Sequence, residues 1–234
     1  AMIKSVVKEN DIVWTHSAGP IGSVASWYAK RNKKKIVTTV HSIEWELFFG
    51  AITFPRFFSG VFNWIVRKYI KNVYRRSNVL TVSSKGIKDL LDENGVKGRK
   101  VVVPLGVDTN KFRPSSYKRA SKLKVGLKEG RKVIVYVGRI AREKNLLDLL
   151  DAYKDLKVKA SLVVVGDGVI SIKRKLKRNK VVVTGFVDNV DEYLQAADVY
   201  VIPSSTETSS LSTLEAMGSG LAVVSTGVGD MKNY

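Results

Sequence analysis

The sequence predicts two open α/β domains, each a parallel sheet wound with crossover helices. Three observations carry that reading. Short runs rich in Val, Ile and Thr alternate with amphipathic stretches along the 234 residues, at the spacing of β-α-β units. The alternation halts over residues 104–114 and then restarts, which divides the chain into domains at 1–113 and 114–234. No repeat with a period of roughly 20–50 residues is present, so a solenoid is excluded.

In the first domain, residues 11–15 read as a strand, 22–30 as a helix, and 35–40 as a strand closed by His41. An aromatic stretch leads into a long helix ending near Arg76, with Phe62, Ile65, Tyr69 and Val73 as the stripe expected against the sheet. A strand at 79–82, a helix at 85–94 and a strand at 100–103 follow. The second domain reads as strands at 132–137, 160–165, 181–184, 199–202 and 222–225. Between them lie helices at 146–156, 171–178, 190–196 and 211–219. Ligands of such sheets bind beyond the carboxyl ends of the strands.

Composition removes several function classes. Cysteine is absent, which excludes disulfide scaffolds and thiolate metal sites, and His16 and His41 have no partner at helical spacing, so no metal site is expected. No run reaches the roughly 18 apolar residues that span a bilayer, and no signal-peptide pattern opens the chain. A cytoplasmic location is the expectation. The net charge of +19 is uneven, with 20 Lys and Arg against 8 Asp and Glu in residues 1–113, and 20 against 13 in the remainder. Residues 47–88 contain no acid. They hold Arg56, Arg67, Lys68, Lys71, Arg75, Arg76, Lys85 and Lys88 among Phe48, Phe49, Phe54, Phe57, Phe58, Phe62, Trp64, Tyr69 and Tyr74. Rings beneath cations suit an anionic membrane surface, and the expected location becomes peripheral on the inner face of the cell membrane. The alternative is a helix packed on its sheet with solvated cations.

The chemistry concentrates after the strand at 199–202. Pro203 ends it, a Ser/Thr-rich loop follows, and a helix opening near Ser210 leaves free N–H groups at Ser210 and Leu211 for a phosphate. Glu207 and Glu215 flank that turn. Carboxylates do not ligate phosphate, but they accept hydrogen bonds from sugar hydroxyls, so the pattern suits a nucleotide-sugar. Gly138 and Arg139 follow the strand at 132–137, and Lys144 comes five positions after Arg139; two cations there can neutralise a diphosphate leaving group.

These segments, with others, resemble the retaining glycosyltransferases of the GT-B fold, family 4. Glu207 to Glu215 is similar to that family's E-x7-E element, and Val137-Gly-Arg139-Ile-Ala-Arg-Glu-Lys144 to its G-R-x-x-x-E-K-G element. Val102-Val-Pro104-Leu-Gly-Val-Asp108 through Pro114 resembles its interdomain crossing. Leu162 to Gly168, Val183 to Phe186, Tyr193 to Asp198, and Glu215-Ala-Met-Gly-Ser-Gly-Leu-Ala-Val-Val224 resemble further family segments.

The resemblance implies two Rossmann-like, doubly wound domains, both incomplete, since the family's opening strand with its Gly-rich loop and its closing helices are not found. It implies transfer of a sugar from a nucleotide-sugar donor to an acceptor hydroxyl of a lipid, lipid-linked sugar or glycan, with retention and with no cofactor or metal. It assigns diphosphate binding to Arg139 and Lys144, the transferred sugar to Glu207 and the ribose to Glu215. Gly166 and Phe186 become the wall around the base, and His41 the histidine near the donor sugar. His16 is read as an ordinary, satisfied core or surface histidine. Thr208-Ser209-Ser210 stands where the family commonly has Gly-Phe-Gly, which bears on the choice of sugar. Two other readings stay open: another GT-B enzyme such as an epimerase or phosphorylase, and a basic nucleic-acid-binding module, although no zinc-finger, RRM or KH signature supports specific nucleic-acid recognition.

Overall fold

A computed structural model describes residues 2–41, 43–45 and 59–234, in two compact units, Ala1–Leu105 and Gly106–Tyr234. The stretch 106–113 goes with the second unit because Phe112 is buried in that unit's core. Phe48, Phe49, Phe54, Phe57, Phe58 and Arg56 lie outside the described residues.

The first unit runs α1 (Met2–Glu9), β1 (Ile12–Thr15), α2 (Pro20–Arg31), β2 (Lys35–Val40), α3 (Ser59–Tyr74), β3 (Val79–Val82), α4 (Lys85–Glu93) and β4 (Lys100–Val102). Its strands are parallel and lie in the order β1-β2-β3-β4. The sheet therefore steps in one direction only among the described strands, and the switch that defines double winding is not among them. Alternation decides which residues turn inward. Val40, Leu80 and Val82 are buried in one core cluster with Ile70, Val73 and Tyr74 of α3 and Ile87 and Leu91 of α4, and Ile36 in another with residues of α1 and α2. On the opposite side Ile12 and Trp14 stay exposed.

Hydroxyl ladders cross the strands on both faces. Thr15 bonds Thr38 and Thr38 bonds Ser77, each at 2.7 Å; on the other face Trp14 Nε1 donates to Thr39 Oγ1 and Thr39 bonds Thr81, each at 2.8 Å. The stripe that α3 buries differs from expectation. Ile70, Val73 and Tyr74 are inside with Val66 against them, whereas Ile65 and Tyr69 are about half exposed. The helix carries two adjacent apolar stripes, and periodicity alone does not select between them. The sequence reading also passed over α1, whose Val7 is buried with Ala29 of α2 and Ile36 of β2.

The second unit runs α5 (Lys118–Lys124), β5 (Lys132–Val137), a 3-10 turn (Arg142–Lys144), α6 (Leu146–Lys154), β6 (Ala160–Val165), α7 (Ile170–Arg178), β7 (Val182–Val183), α8 (Val190–Ala196), β8 (Val199–Ile202), α9 (Leu211–Gly218), β9 (Ala222–Ser225) and a second 3-10 turn (Gly229–Asn233). The sheet order is β7-β6-β5-β8-β9, all parallel. This sheet is doubly wound: the chain steps outward from β5 through β6 to β7, then crosses back to lay β8 on the other side of β5. The crevice at that switch is where a ligand is expected. Strand β6 is flanked by β7 and β5, so Leu162, Val163, Val164 and Val165 are all buried, and Leu146, Leu150, Leu176, Leu194 and Tyr200 close the core.

A charged clamp ties α5 to this sheet. Asp198, just before β8, accepts from the Val133 N–H at 2.8 Å and from Lys122 Nζ at 2.9 Å. Burial works to raise the Asp198 carboxyl, but the Lys122 bond and the Val133 N–H outweigh it and hold the group below its ordinary value. A carboxylate lowered in the fold stabilises above its unfolded value, about 3.9 for Asp, and loses that contribution as pH falls through the folded value. Asp198→Asn is therefore expected to lower stability at neutral pH and to lose part of the wild-type decline between pH 4 and lower pH, measured as urea midpoints across an acid pH series; identical pH curves would show that the clamp contributes nothing.

Candidate functional site

The site builds up from the turn after β5. Gly138 and Arg139 leave the strand, and the Tyr136 hydroxyl returns to donate to the Arg139 carbonyl at 2.8 Å. The chain then forms the short 3-10 turn Arg142–Lys144 and enters α6 through Asn145, which adopts a left-handed conformation (φ 47°) suited to Asn. This reversal turns Lys144 toward the loop that follows β8. Lys144 Nζ meets Glu207 Oε1 at 2.7 Å, with side chains only 16% and 11% exposed. Ser204 donates its hydroxyl to the same carboxylate oxygen at 2.7 Å. The Ser205 N–H and hydroxyl both reach the Glu143 carbonyl, at 2.9 and 3.1 Å, so the two loops are joined by backbone as well.

Close approach of main chains fixes the neighbouring turns. Gly166, after β6, has φ 144°, and a Cβ there would lie 2.0 Å from the Gly138 carbonyl oxygen. No other residue type fits. The Gly138 N–H donates to Val165 O at 2.9 Å and the Ile140 N–H to Asp167 O at 2.7 Å, so the turns after β5 and β6 form one wall. Past β7 and Gly185, Phe186 stands 83% exposed, with its ring free to stack on a planar ligand.

The loop 203–210 ends in a capped helix. Ser210 is the N-cap of α9, and its side chain accepts from the Thr213 N–H at 3.2 Å. The Ser210 N–H faces the Tyr234 hydroxyl, so a phosphate at that amide would replace Tyr234, while Leu211 remains about half exposed. Glu215 sits on α9, partly buried. Burial raises its carboxyl while Lys111 acts in the opposite direction, and no hydrogen bond among the described residues holds it.

Gly138 is brought against Gly166, and Lys144 against Glu207. Two expectations change. Arg139 and Lys144 do not converge on empty space: Arg139 Nη2 pairs with Glu143 Oε1 at 2.7 Å and Lys144 with Glu207, so each cation already has a carboxylate. Arg139 is well exposed, and a surface pair of that kind contributes little, so it is free to exchange Glu143 for a phosphate. His16 is not a bystander, because its Nδ1 lies 2.9 Å from His41 Nε2 in the first unit. Sequence reasoning missed Ser204, Tyr136 and Gly229. Ser204 was findable, three residues before Glu207 in Ser204-Ser-Thr-Glu207. Gly229 had no local signal: a Cβ there would lie 1.9 Å from the Glu207 carbonyl oxygen, with the Asp230 N–H bonding Thr208 O at 3.1 Å and Asp230 accepting from the Ser209 hydroxyl. Among the described residues no group of three His, Asp or Glu could hold a metal, and no helix is long and apolar enough to cross a membrane.

Comparison with known proteins bears on this geometry. Residues 2–111 match Glycosyltransferase Family 4 and residues 131–234 match Glycosyl transferases group 1. The chain is 29% identical over 226 residues to the putative teichuronic acid biosynthesis glycosyltransferase TuaC of Bacillus subtilis, covering 95% of this chain and 54% of the relative. It is 28% identical over 237 residues to the alpha-monoglucosyldiacylglycerol synthase of Streptococcus pneumoniae, covering 93% and 52%. The chain thus spans about half the length of these curated relatives. The fold matches that of HepE from Anabaena, solved with UDP-glucose, at a TM-score of 0.81 and 19% identity over 99% of this chain and 64% of that one.

The glycine wall sets a prediction. Gly166→Ala is expected to destabilise the chain by at least about 1–3 kcal/mol, from backbone strain with the clash against Gly138 in addition. Urea denaturation checks it, and an unchanged midpoint would mean that the two turns separate freely.

Proposed function

As a chain that belongs to the glycosyltransferases of family 4, group 1, this protein carries, we propose, the donor site of an enzyme that moves a hexose from a nucleotide-sugar to an acceptor hydroxyl with retention of configuration. The observation that supports this best is the 2.7 Å contact between Lys144 and Glu207, which joins two motifs 63 residues apart at the switch of a doubly wound sheet. An ammonium has three donors, and Glu207 uses one of them. Lys144 can therefore bind a diphosphate oxygen without releasing Glu207.

The roles follow from the chemistry of each group. Arg139, released from Glu143, and Lys144 neutralise the charge that grows on the diphosphate as the glycosidic bond breaks. The Leu211 N–H at the start of α9 adds a neutral donor, and Ser210 contributes its own once Tyr234 gives way. Glu207, oriented by Ser204 and Lys144, accepts from hydroxyls of the transferred sugar, and the unbonded Glu215 carboxylate accepts from the ribose. Phe186, Gly166 and Gly138 border the base. The acceptor attacks on the face of the leaving phosphate, which takes the proton, so no carboxylate acts as nucleophile.

The acceptor belongs, in this proposal, to a membrane lipid or lipid-linked sugar, handled at the inner face of the membrane. The alpha-monoglucosyldiacylglycerol synthase relative is named for a lipid product. On α3, Val61, Trp64, Ile65 and Tyr69 are exposed beside Lys68, Lys71 and Arg75. Not every cation there is available. Arg67 bonds Asn63 and Asn94 and lies over Trp45, and Arg76 bonds the Ser23 carbonyl, so both are structural.

Arg139→Ala and Lys144→Ala are each expected to weaken nucleoside-diphosphate binding by about 1.5–3 kcal/mol, the range for a charge-assisted hydrogen bond. Glu215→Ala should weaken nucleoside binding too. Calorimetry with UDP, GDP and ADP measures this, and equal affinities in wild type and all three variants would overturn the donor site.

Replacing Lys68, Lys71 and Arg75 together by Gln is expected to cut binding to anionic liposomes by about 3 kcal/mol, at about 1 kcal/mol per cation, with the difference fading at high salt. Cosedimentation on anionic and neutral vesicles reads it; negligible binding of wild type to both would remove the membrane surface from the proposal.

A further inference from the structure

His16 and His41 are the chain's two histidines, 25 residues apart, and the ends of two neighbouring parallel strands bring them together. His16 follows β1 and His41 follows β2, where Thr15 pairs with Thr38. His16 Nδ1 lies 2.9 Å from His41 Nε2, and the rings are within 6° of parallel with centroids 5.2 Å apart. That centroid separation exceeds the N···N distance by about the two ring radii. The rings therefore lie nearly edge to edge in a common plane, with one nitrogen's lone pair aimed at the other's N–H. Trp14 braces the arrangement: its indole is 5.3 Å from the His16 ring at 20°, and its Nε1–H is anchored to Thr39.

An N–H···N bond allows one proton between its two nitrogens. When both rings are neutral, the outward nitrogens, His41 Nδ1 and His16 Nε2, are then always opposite in kind, one N–H and one lone pair. A second charge breaks the bond and sets two imidazolium rings side by side. We propose that His16 is a positioning residue for His41, setting its tautomer through this shared proton so that the two rings meet a polyhydroxylated ligand as one donor–acceptor unit. A sugar hydroxyl both donates and accepts, and the pair can match either demand: as the shared proton crosses the bond, the outward N–H of one ring gives its proton to the hydroxyl or solvent and the outward nitrogen of the other ring takes one, so both rings stay neutral. The ligand assignment rests on the reading of His41 as the histidine near the donor sugar; the pairing does not.

The surroundings suit a shared proton. Burial lowers His41, and the charge on His16 lowers it further; His16 is the charged group that acts on it among the described residues. Glu44, the next acid along the chain, has both oxygens on the Ala18 N–H, at 2.7 and 3.0 Å, and its own carboxyl is raised by burial. Tyr74 of α3, beside Glu44, is raised by burial and stays a neutral phenol.

With two histidines, imidazole NMR of the 15N-labelled chain has two spin systems to assign. The expected result at neutral pH is a 15N–15N coupling across the hydrogen bond between His16 Nδ1 and His41 Nε2, and a titration in which the two rings move in linked steps. In His16→Phe, His41 should titrate in one step, shifted upward, and populate both tautomers. His16→Asn, whose amide replaces the Nδ1 contact without charge, should restore a single tautomer but not the second step. Independent single-step titrations in wild type without coupling, or a His41 unaffected by His16→Phe, would overturn the proposal. The wild-type coupling decides even if a variant fails to fold. The measurement needs no nucleotide, so its outcome is separate from that of the donor-site variants in the second unit.

Discussion

Lys144 and Glu207 are held 2.7 Å apart with little exposure, and the turns on either side of them are organised to keep that pair intact. Burying an ion pair is favourable only if the remaining hydrogen-bonding capacity is met, because both charges have left water. Ser204 meets part of it on Glu207, and the left-handed Asn145 turns Lys144 inward. The Ser205 bonds to Glu143 O then fix the spacing between loops that arise from different strands. In the proposed donor site a phosphate would meet a cation that keeps free donors, so binding would require no break in this framework.

The backbone around this pair is dense where side chains would obstruct a ligand. Gly166 against the Gly138 carbonyl and Gly229 against the Glu207 carbonyl are contacts that a single Cβ would prevent. They come from opposite directions, one from the strand end beside β5 and the other from beyond β9. The loop 203–210 is held by the Glu143–Lys144 turn and by Gly229 and Asp230, although it is rich in Ser and Thr and has no regular structure before Ser210. The Ser209–Asp230 bond adds a polar tie inside the same layer, with Asp230 buried. At Thr208-Ser209-Ser210 the chain uses hydroxyls to hold the loop, Ser209 on Asp230 and Ser210 on the Thr213 N–H.

In the first unit, side chains of one chemical type serve different ends according to where the fold puts them. Arg67 and Arg76 spend their donors on side-chain and backbone oxygens of the same unit, while Lys68 lies over the exposed Trp64 ring. The threonines behave alike: the small β-branched hydroxyls that favour strands also bond across them, so a four-stranded sheet has polar ladders on both faces. The histidine pair terminates the Trp14–Thr39–Thr81 face, at the carboxyl ends of the strands where a parallel sheet meets its ligands.

The sequence by itself determined most of the fold. Strand positions at 35–40, 79–82, 132–137, 160–165, 199–202 and 222–225 agree with the structure because β-branched runs bounded by turn residues have few other uses. The sequence also singles out Gly138, Arg139, Lys144, Glu207 and Glu215 as candidates, because motif spacing along one chain survives in one dimension. Only the tertiary structure decided what those residues touch. That α3 turns Val66 and Ile70 inward rather than Ile65 and Tyr69, that Gly229 supports Glu207, and that His16 bonds His41 all depend on contacts between segments distant in sequence or on a choice between equivalent faces. The strand order is of the same kind: alternation of strands and helices predicts a parallel sheet, but whether the chain steps one way, as in the first unit, or reverses, as in the second, is set by which edge each crossover reaches, and no local residue pattern encodes that.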